Sequence, residues 1–289
     1  LAVGYQSLRS STTASSNTAA GTFALYACTT GANNVALGYN AARETTTGNN
    51  NTAVGTQALN SNTTGSYNTV IGRDALAANL TGTGNTAGGY SAGGFNDANT
   101  YCTFLGYDAD QAVATNFDNS TAVGNGSRIT ASNQVRIGNA SVTSIGGYVA
   151  WTNISDGRVK TNVQENVPGL SFIMQLKPVT YNLNVNAINN QLNIADSTVN
   201  QNSVATKSAI IYTGFIAQEV EAAAKQINYD FSGVDKPTEE NGLYGLRYSE
   251  FVVPMVQAMQ EQQVLIEMQQ KQIAILMQEV ESLKTKIGE

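Results

Sequence analysis

The sequence predicts a β-solenoid of short coils followed by an α+β module that ends in a coiled-coil helix. Three observations carry this reading. A short apolar motif closing on glycine recurs about every 17 residues through the first 127 positions. Lysine is absent before residue 160 and occurs eight times from there on. The C-terminal stretch carries apolar residues spaced alternately four and three.

The repeat comes first, because a fixed period decides the architecture. The segments LAVG (1–4), NTAAG (17–21), NVALG (34–38), NTAVG (51–55), NTVIG (68–72), NTAGG (85–89), TFLG (103–106) and STAVG (120–124) align on Gly4, Gly21, Gly38, Gly55, Gly72, Gly89, Gly106 and Gly124. A weaker copy, NQVRIG, follows at 133–138. Each unit also offers a second short motif after its glycine (YQSL, TFAL, YNAA, TQAL, RDAL). Seventeen residues are too few for a propeller blade or a helical repeat. They suit a coil of two short strands, with glycine at a bend where a side chain would clash. The Asn-Thr and Thr-Gly links supply turns. One coil cannot bury its own apolar face, so coils stack. Inward positions filled by Ala, Val, Ile and Leu imply a narrow core.

Residues 128–154 break the period and read as short strands with glycine turns. Tyr148 and Trp151 are the largest groups there. A plug closing the open end of the solenoid is the expected role, with a subunit contact as the alternative.

From Ser155 the chain gains Lys, Glu and longer apolar side chains. GLSFIMQLKPVTYNLN (169–184) predicts a short helix ended near Pro178, then a strand through Val179, Tyr181 and Leu183. Residues 192–208 read as a loop or lid. IIYTGFIAQEVEAAAKQI (210–227) predicts a strand running into an amphipathic helix, with Phe215, Val220 and Ala224 on one face. The final helix carries Met255, Met259, Gln262, Ile266, Gln269, Ile273, Leu276, Val280, Leu283 and Ile287 as a coiled-coil seam. On pattern alone, β-branched residues at a with Leu at d lean to a dimer. The two Gln layers serve to fix register, and the strand number stays open.

Composition narrows the chemistry. The chain has 289 residues, 12% charged, with a net charge of −6 and no basic cluster, which argues against nucleic acid. No apolar run is long enough to insert in a membrane. The chain starts in mid-pattern at Leu1, so a preceding segment is expected, and the lack of a visible signal peptide carries little weight. There is no histidine. That removes His-based metal sites and Ser-His-Asp or Cys-His catalysis. No cofactor or metal site is expected. Cys28 and Cys102 lie four to five coils apart, roughly 20 Å at about 4.8 Å per stacked strand, so two free, partly buried thiols are expected. The repeats hold one Glu (Glu44) and five Asp. A glycan-degrading head, which calls for two carboxylates about 5–10 Å apart, is the least favoured reading.

The NTAVG-type coils of residues 1–127 resemble the left-handed parallel β-roll heads of trimeric autotransporter adhesins. That resemblance implies a homotrimer of rolls side by side. From residue 155 on, SDGRVKTN (155–162), LKPVTYN (176–182), GFIAQEVE (214–221), YGLRYSEF (244–251) and the terminal heptads together resemble the C-terminal intramolecular chaperone of endosialidases and other phage tail spikes and fibres. This implies a domain that trimerises, assists folding of the β-structure before it, and then cuts itself off. The expected seam of the trimer is Met259, Ile266, Ile273, Leu276, Val280, Leu283 and Ile287.

The resemblance maps the nucleophile onto Ser155, the scissile bond onto Ile154–Ser155 and the general base onto Lys160. With no histidine, a lysine base is chemically sensible if burial or a neighbouring cation favours its neutral form. Arg158 is close enough in sequence to supply that cation. Asp156 either orients Lys160 or caps the turn. The segments expected are 1–127, β-roll repeats; 128–154, a closing or neck region; 155–250, the chaperone; and 251–289, the coiled coil. The function expected is a structural and adhesive fibre or tail-spike tip that meets a host surface receptor or glycan, on a virion tail or a bacterial surface. A bacterial adhesin that retains its chaperone is the alternative.

Overall fold

The structure is a computed structural model and describes residues 1–95, 97–195, 199–238 and 242–288. Residues 196–198, within the expected loop or lid, and Glu289, the last residue of the expected coiled coil, lie outside the described residues. The chain divides into two compact units. One comprises Leu1–Ile145 with Asn182–Ile210 and a short stretch beginning at Pro237. The other comprises Gly146–Tyr181, Ile211–Lys236 and Leu243–Glu289.

The first unit is the solenoid. Nine strands pair in parallel in one sheet: β1 (Ala2–Val3), β2 (Thr18–Ala20), β3 (Val35–Leu37), β4 (Thr52–Val54), β5 (Thr69–Ile71), β6 (Thr86–Gly88), β7 (Thr103–Leu105), β9 (Thr121–Val123) and β11 (Val135–Ile137). The register repeats the sequence period, with Ala36 opposite Ala53 and Ala53 opposite Val70. From β2 to β9 the middle residue of each sheet strand points in, so Ala19, Ala36, Ala53, Val70, Ala87, Phe104 and Ala122 are buried, whereas β1 and β11 at the two ends are exposed. Because side chains alternate along a strand, the third residue points out. Val3, Leu37, Ile71, Leu105 and Ile137 are therefore exposed, as an apolar stripe along the outer sheet face. The core is narrower than the motif suggests, since half of its apolar residues face away from it.

Two strands per coil were expected, and most coils have one. The second motif forms a bend with alternate residues at positive φ, such as Phe23 and Leu25, or Gln57 and Leu59. Among the described residues, only β8 (Asp110–Gln111) and β10 (Arg128–Ile129) pair as a second column. The glycine before each bend explains it. Gly21 has φ +140°, and a Cβ there would lie 2.3 Å from the Gly38 carbonyl oxygen. Coils approach too closely at that corner for any other residue.

Buried asparagines bind successive coils. Asn34 Nδ2 donates to Gly48 O at 2.8 Å, and its Oδ1 accepts from Asn51 N at 2.9 Å. Asn51, Asn68 and Asn85 continue the column, and Cys102 ends it, its N–H donating to Asn85 Oδ1. An amide carries both a donor and an acceptor, so each coil hands on the same pair of bonds. Cys28 and Cys102 are free and fully buried, more deeply than expected. Burial pushes both thiols up, which favours the protonated form.

The strands expected in 128–154 stop at Ile137, and residues 139–156 form neither strand nor helix. The solenoid unit is completed by chain from further on. It supplies α2 (Val185–Gln191) and α3 (Gln201–Ser208), N-capped by the side chains of Asn184 and Asn200.

The second unit contains α1 (Leu170–Ile173), the antiparallel ribbon β12 (Val179–Tyr181) with β13 (Tyr212–Gly214), and α4 (Ala217–Gln226). The short pair β14 (Val234–Asp235) with β15 (Gly245–Leu246) and α5 (Val252–Ile287) complete it. Its core gathers Phe172, Val220, Ala223, Ala224, Phe231 and Phe251, with Phe215 packed against them. The expected face of α4 is thus the buried one. Leu183 lies outside the strand predicted to hold it. α5 is a single helix of 36 residues, and only Pro254 and Ala258 are buried.

Candidate functional site

The motif at Ser155 sits in extended chain followed by one 3-10 turn, Gly157–Val159. Asp156 starts that turn, its Oδ1 accepting from Arg158 N at 2.9 Å. The Arg158 guanidinium closes on the same carboxylate, with Nε 2.9 Å from Oδ2. This contact holds the Asp156 carboxyl below its ordinary range. Asp156 is therefore engaged by the turn and by Arg158, and the one cation close in sequence is paired.

Lys160 follows the turn. Its N–H donates to Gly157 O at 3.3 Å, which directs the side chain back toward the start of the motif. Lys160 Nζ lies 2.8 Å from Ser155 Oγ. Five residues thus fold so that a hydroxyl and an amine meet, while Asp156 faces elsewhere. Ser155, Ile154 and Lys160 are all exposed. So are the apolar groups that flank them in sequence: Tyr148, Val149, Trp151, Val159 and Val163, with Trp151 at 87%.

The residues expected along the helix seam share one feature. Met259, Ile266, Ile273, Leu276, Val280, Leu283 and Ile287 are all exposed, between 40% and 77%. Among the described residues, no three side chains of metal-ligating type converge. No helix is long and apolar enough to cross a membrane.

One cluster escaped the sequence reading. Asp110 stands at the coil position that Leu25, Leu59 and Leu76 fill elsewhere, and it is buried. Its Oδ2 accepts from Phe95 N at 3.0 Å and its Oδ1 from Gln111 N at 2.8 Å. Arg128, in the next coil, pairs with Asp108 at 2.6 Å. Burial pushes the Asp110 carboxyl up to about 7, against the pull of these N–H groups and of Arg128. The signal was available: Asp and Arg replace Leu in a core column of the repeat.

A stacked β-solenoid followed by an α+β unit that ends in a long helix, exposed over most of its length, defines a class: a repeat head with a C-terminal module. Residues 155–228 match the model of the family described as the chaperone of endosialidase. Its first matched residue is Ser155. The combination fits a tail spike or tail fibre with a C-terminal intramolecular chaperone domain. No curated protein and no solved structure matches the chain.

Proposed function

We propose that the chain is part of a homotrimeric fibre or spike whose solenoid presents a structural and adhesive surface to a host receptor. Residues 155–250 are its folding chaperone, and the helix from 251 on is its trimerising coiled coil. The module then cuts the Ile154–Ser155 bond. Residues 128–154 serve as the neck between head and module.

Two observations support self-association. The α5 seam leaves an apolar stripe in water, interrupted at Gln262 and Gln269, a pattern that a partner helix of the same kind would cover. The stripe from Val3 to Ile137 does the same on the solenoid. Stacked parallel coils have long-range contacts and fold slowly. A seam that aligns the chains raises their effective concentration before the rolls pack.

The observation that carries the cleavage reading is the 2.8 Å contact of Lys160 Nζ with Ser155 Oγ. In the proposed step Ser155 Oγ attacks the Ile154 carbonyl carbon, and the neutral Lys160 amine takes the hydroxyl proton. The proton passes to the Ser155 nitrogen as the C–N bond breaks. Water then hydrolyses the Ile154 ester, which leaves a carboxylate at Ile154 and a free amine on Ser155. Asp156 and Arg158 shape the turn that brings the pair together.

The test is intact mass of freshly expressed chain, beside Ser155→Ala and Lys160→Ala. Two fragments from the wild type with Ser155 as a new N-terminus, and both variants whole, are the expected result. Cleavage in Lys160→Ala would reject the base. An uncut 30.4 kDa chain in all three would leave a permanently attached trimerisation module.

A further inference from the structure

A cut at 154–155 separates the backbone of the solenoid from everything after it, yet part of the downstream chain is built into the solenoid unit. Asn182 Nδ2 donates to Ser208 O at 3.2 Å and to Ile210 O at 2.8 Å, which clasps the base of the α2–α3 hairpin. The end of α2 then aims two residues at the solenoid. Asn193 is left-handed, at φ +52°. Its N–H donates to Asn190 O, and that of Ile194 to Asn189 O. These are the paired bonds that stop a helix on a left-handed residue, a place where asparagine is tolerated. So held, Asn193 Nδ2 donates to Ala112 O at 2.7 Å, just past β8. Ile194 is buried, and a Cβ on Gly126 would lie 3.8 Å from its methyl group. Val185 and Val204, one on each helix, are buried too.

The position is meaningful. Ala112 lies in the coil that starts at β7 and Gly126 in the one that starts at β9, the last two before β11, where the glycine spacing falls to 14. A solenoid without a terminal cap exposes core and strand edges. Gln111, beside Ala112, is itself engaged with Asn99 and Phe95 O, so this end is already ordered by polar contacts that the hairpin extends.

We propose that the α2–α3 hairpin is the terminal cap of the solenoid, and that the fragment beginning at Ser155 stays bound to the head after the backbone is cut. The partner surface is the Ala112–Gly126 end, and its ligand is the α2 and α3 pair of this same polypeptide, which meets it through Asn193 and Ile194. The consequence for release rests on the cleavage reading above; the capping contact does not.

The experiment separates the two. In a Ser155→Ala chain, a recognition sequence for a sequence-specific protease is inserted between Gly146 and Gly147, and the chain is cut there. Native size-exclusion chromatography then reads whether the pieces co-elute. Co-elution is expected. Asn193→Ala combined with Ile194→Asp should split the single peak into two and lower the thermal midpoint of the solenoid. Separate peaks without the hairpin substitutions would overturn the proposal. So would continued co-elution with them, since the attachment would then lie elsewhere. Hydrogen exchange on the unsubstituted chain guards against a variant that fails to fold. The α2 and α3 amides should exchange as slowly as those of β9, and exchange at the rate of a free peptide would overturn the cap.

Discussion

At Gly38 the backbone has φ +138°, and a Cβ would meet the Gly55 carbonyl oxygen at 2.5 Å. Neither atom can move without parting two coils. Gly38→Ala is expected to destabilise the solenoid by about 3 kcal/mol, the scale of strain at a special backbone site. The check is the thermal midpoint followed by circular dichroism. Ala substituted for the exposed Thr47 serves as control, with a change under about 0.5 kcal/mol. Asp110 has a different signature. Its carboxyl lies at about 7 in the folded chain, above its ordinary value. The folded state therefore holds the proton more tightly, and stability from this group is greatest below about pH 4 and lost as pH rises toward 7. The full swing is on the order of 4 kcal/mol for a shift of this size. The expected outcome is that Asp110→Asn flattens this limb of the stability-versus-pH curve by that order. The same limb in both proteins would show that Arg128 keeps Asp110 charged.

Among the elements, α1 and α5 show how a short helix is held. α1 starts at Gly169 without a side-chain cap of its own. Glu261 on α5 supplies one, its Oε2 accepting from Leu170 N at 2.7 Å, and this contact lowers its carboxyl. A lowered carboxyl stabilises above its unfolded pKa and loses that effect as pH falls through the folded one. Glu261→Ala should therefore loosen α1 near neutral pH and matter less in acid, read as faster amide exchange at Leu170–Ile173. Elements differ in how much of this the sequence reveals. The coils are legible because every repeat states the same constraint, so one glycine in register is confirmed seven times over. The heptads of α5 are legible for the same reason. The hairpin is not: α2 and α3 carry few apolar residues, and Asn193 meets Ala112 across 81 positions of chain. Its caps, Asn184 and Asn200, were visible, but nothing local says what a capped helix docks on. Ser155 and Lys160 stand out only through the resemblance, since a serine before a turn and a lysine after it are ordinary surface residues.

For the whole molecule the question is what completes the Ser155–Lys160 pair. A lysine acts as a base only when neutral, a form that water disfavours and burial favours. Within one chain the pair is open to water, and Arg158 is neutralised by Asp156. The surroundings are not those of an isolated surface turn, however. Tyr148, Trp151, Ile154, Val159 and Val163 stand in water along the same stretch. Association of copies through α5 would concentrate three such stretches, and burying their apolar groups would exclude water from the pair. On the proposed reading cleavage would be tied to assembly: the module would cut once the chains it aligns are together. Ile273→Asp with Leu276→Asp puts two charges into the seam, at positions 55% and 52% exposed in the single chain, so the fold of each chain should survive. The expected outcome is a monomer by light scattering that remains uncut, with the cleavage rate down at least about 100-fold, the scale of losing general-base assistance. A monomer that still cuts at the wild-type rate would show that one chain builds the complete site, and would leave the exposed apolar groups to serve the fibre alone.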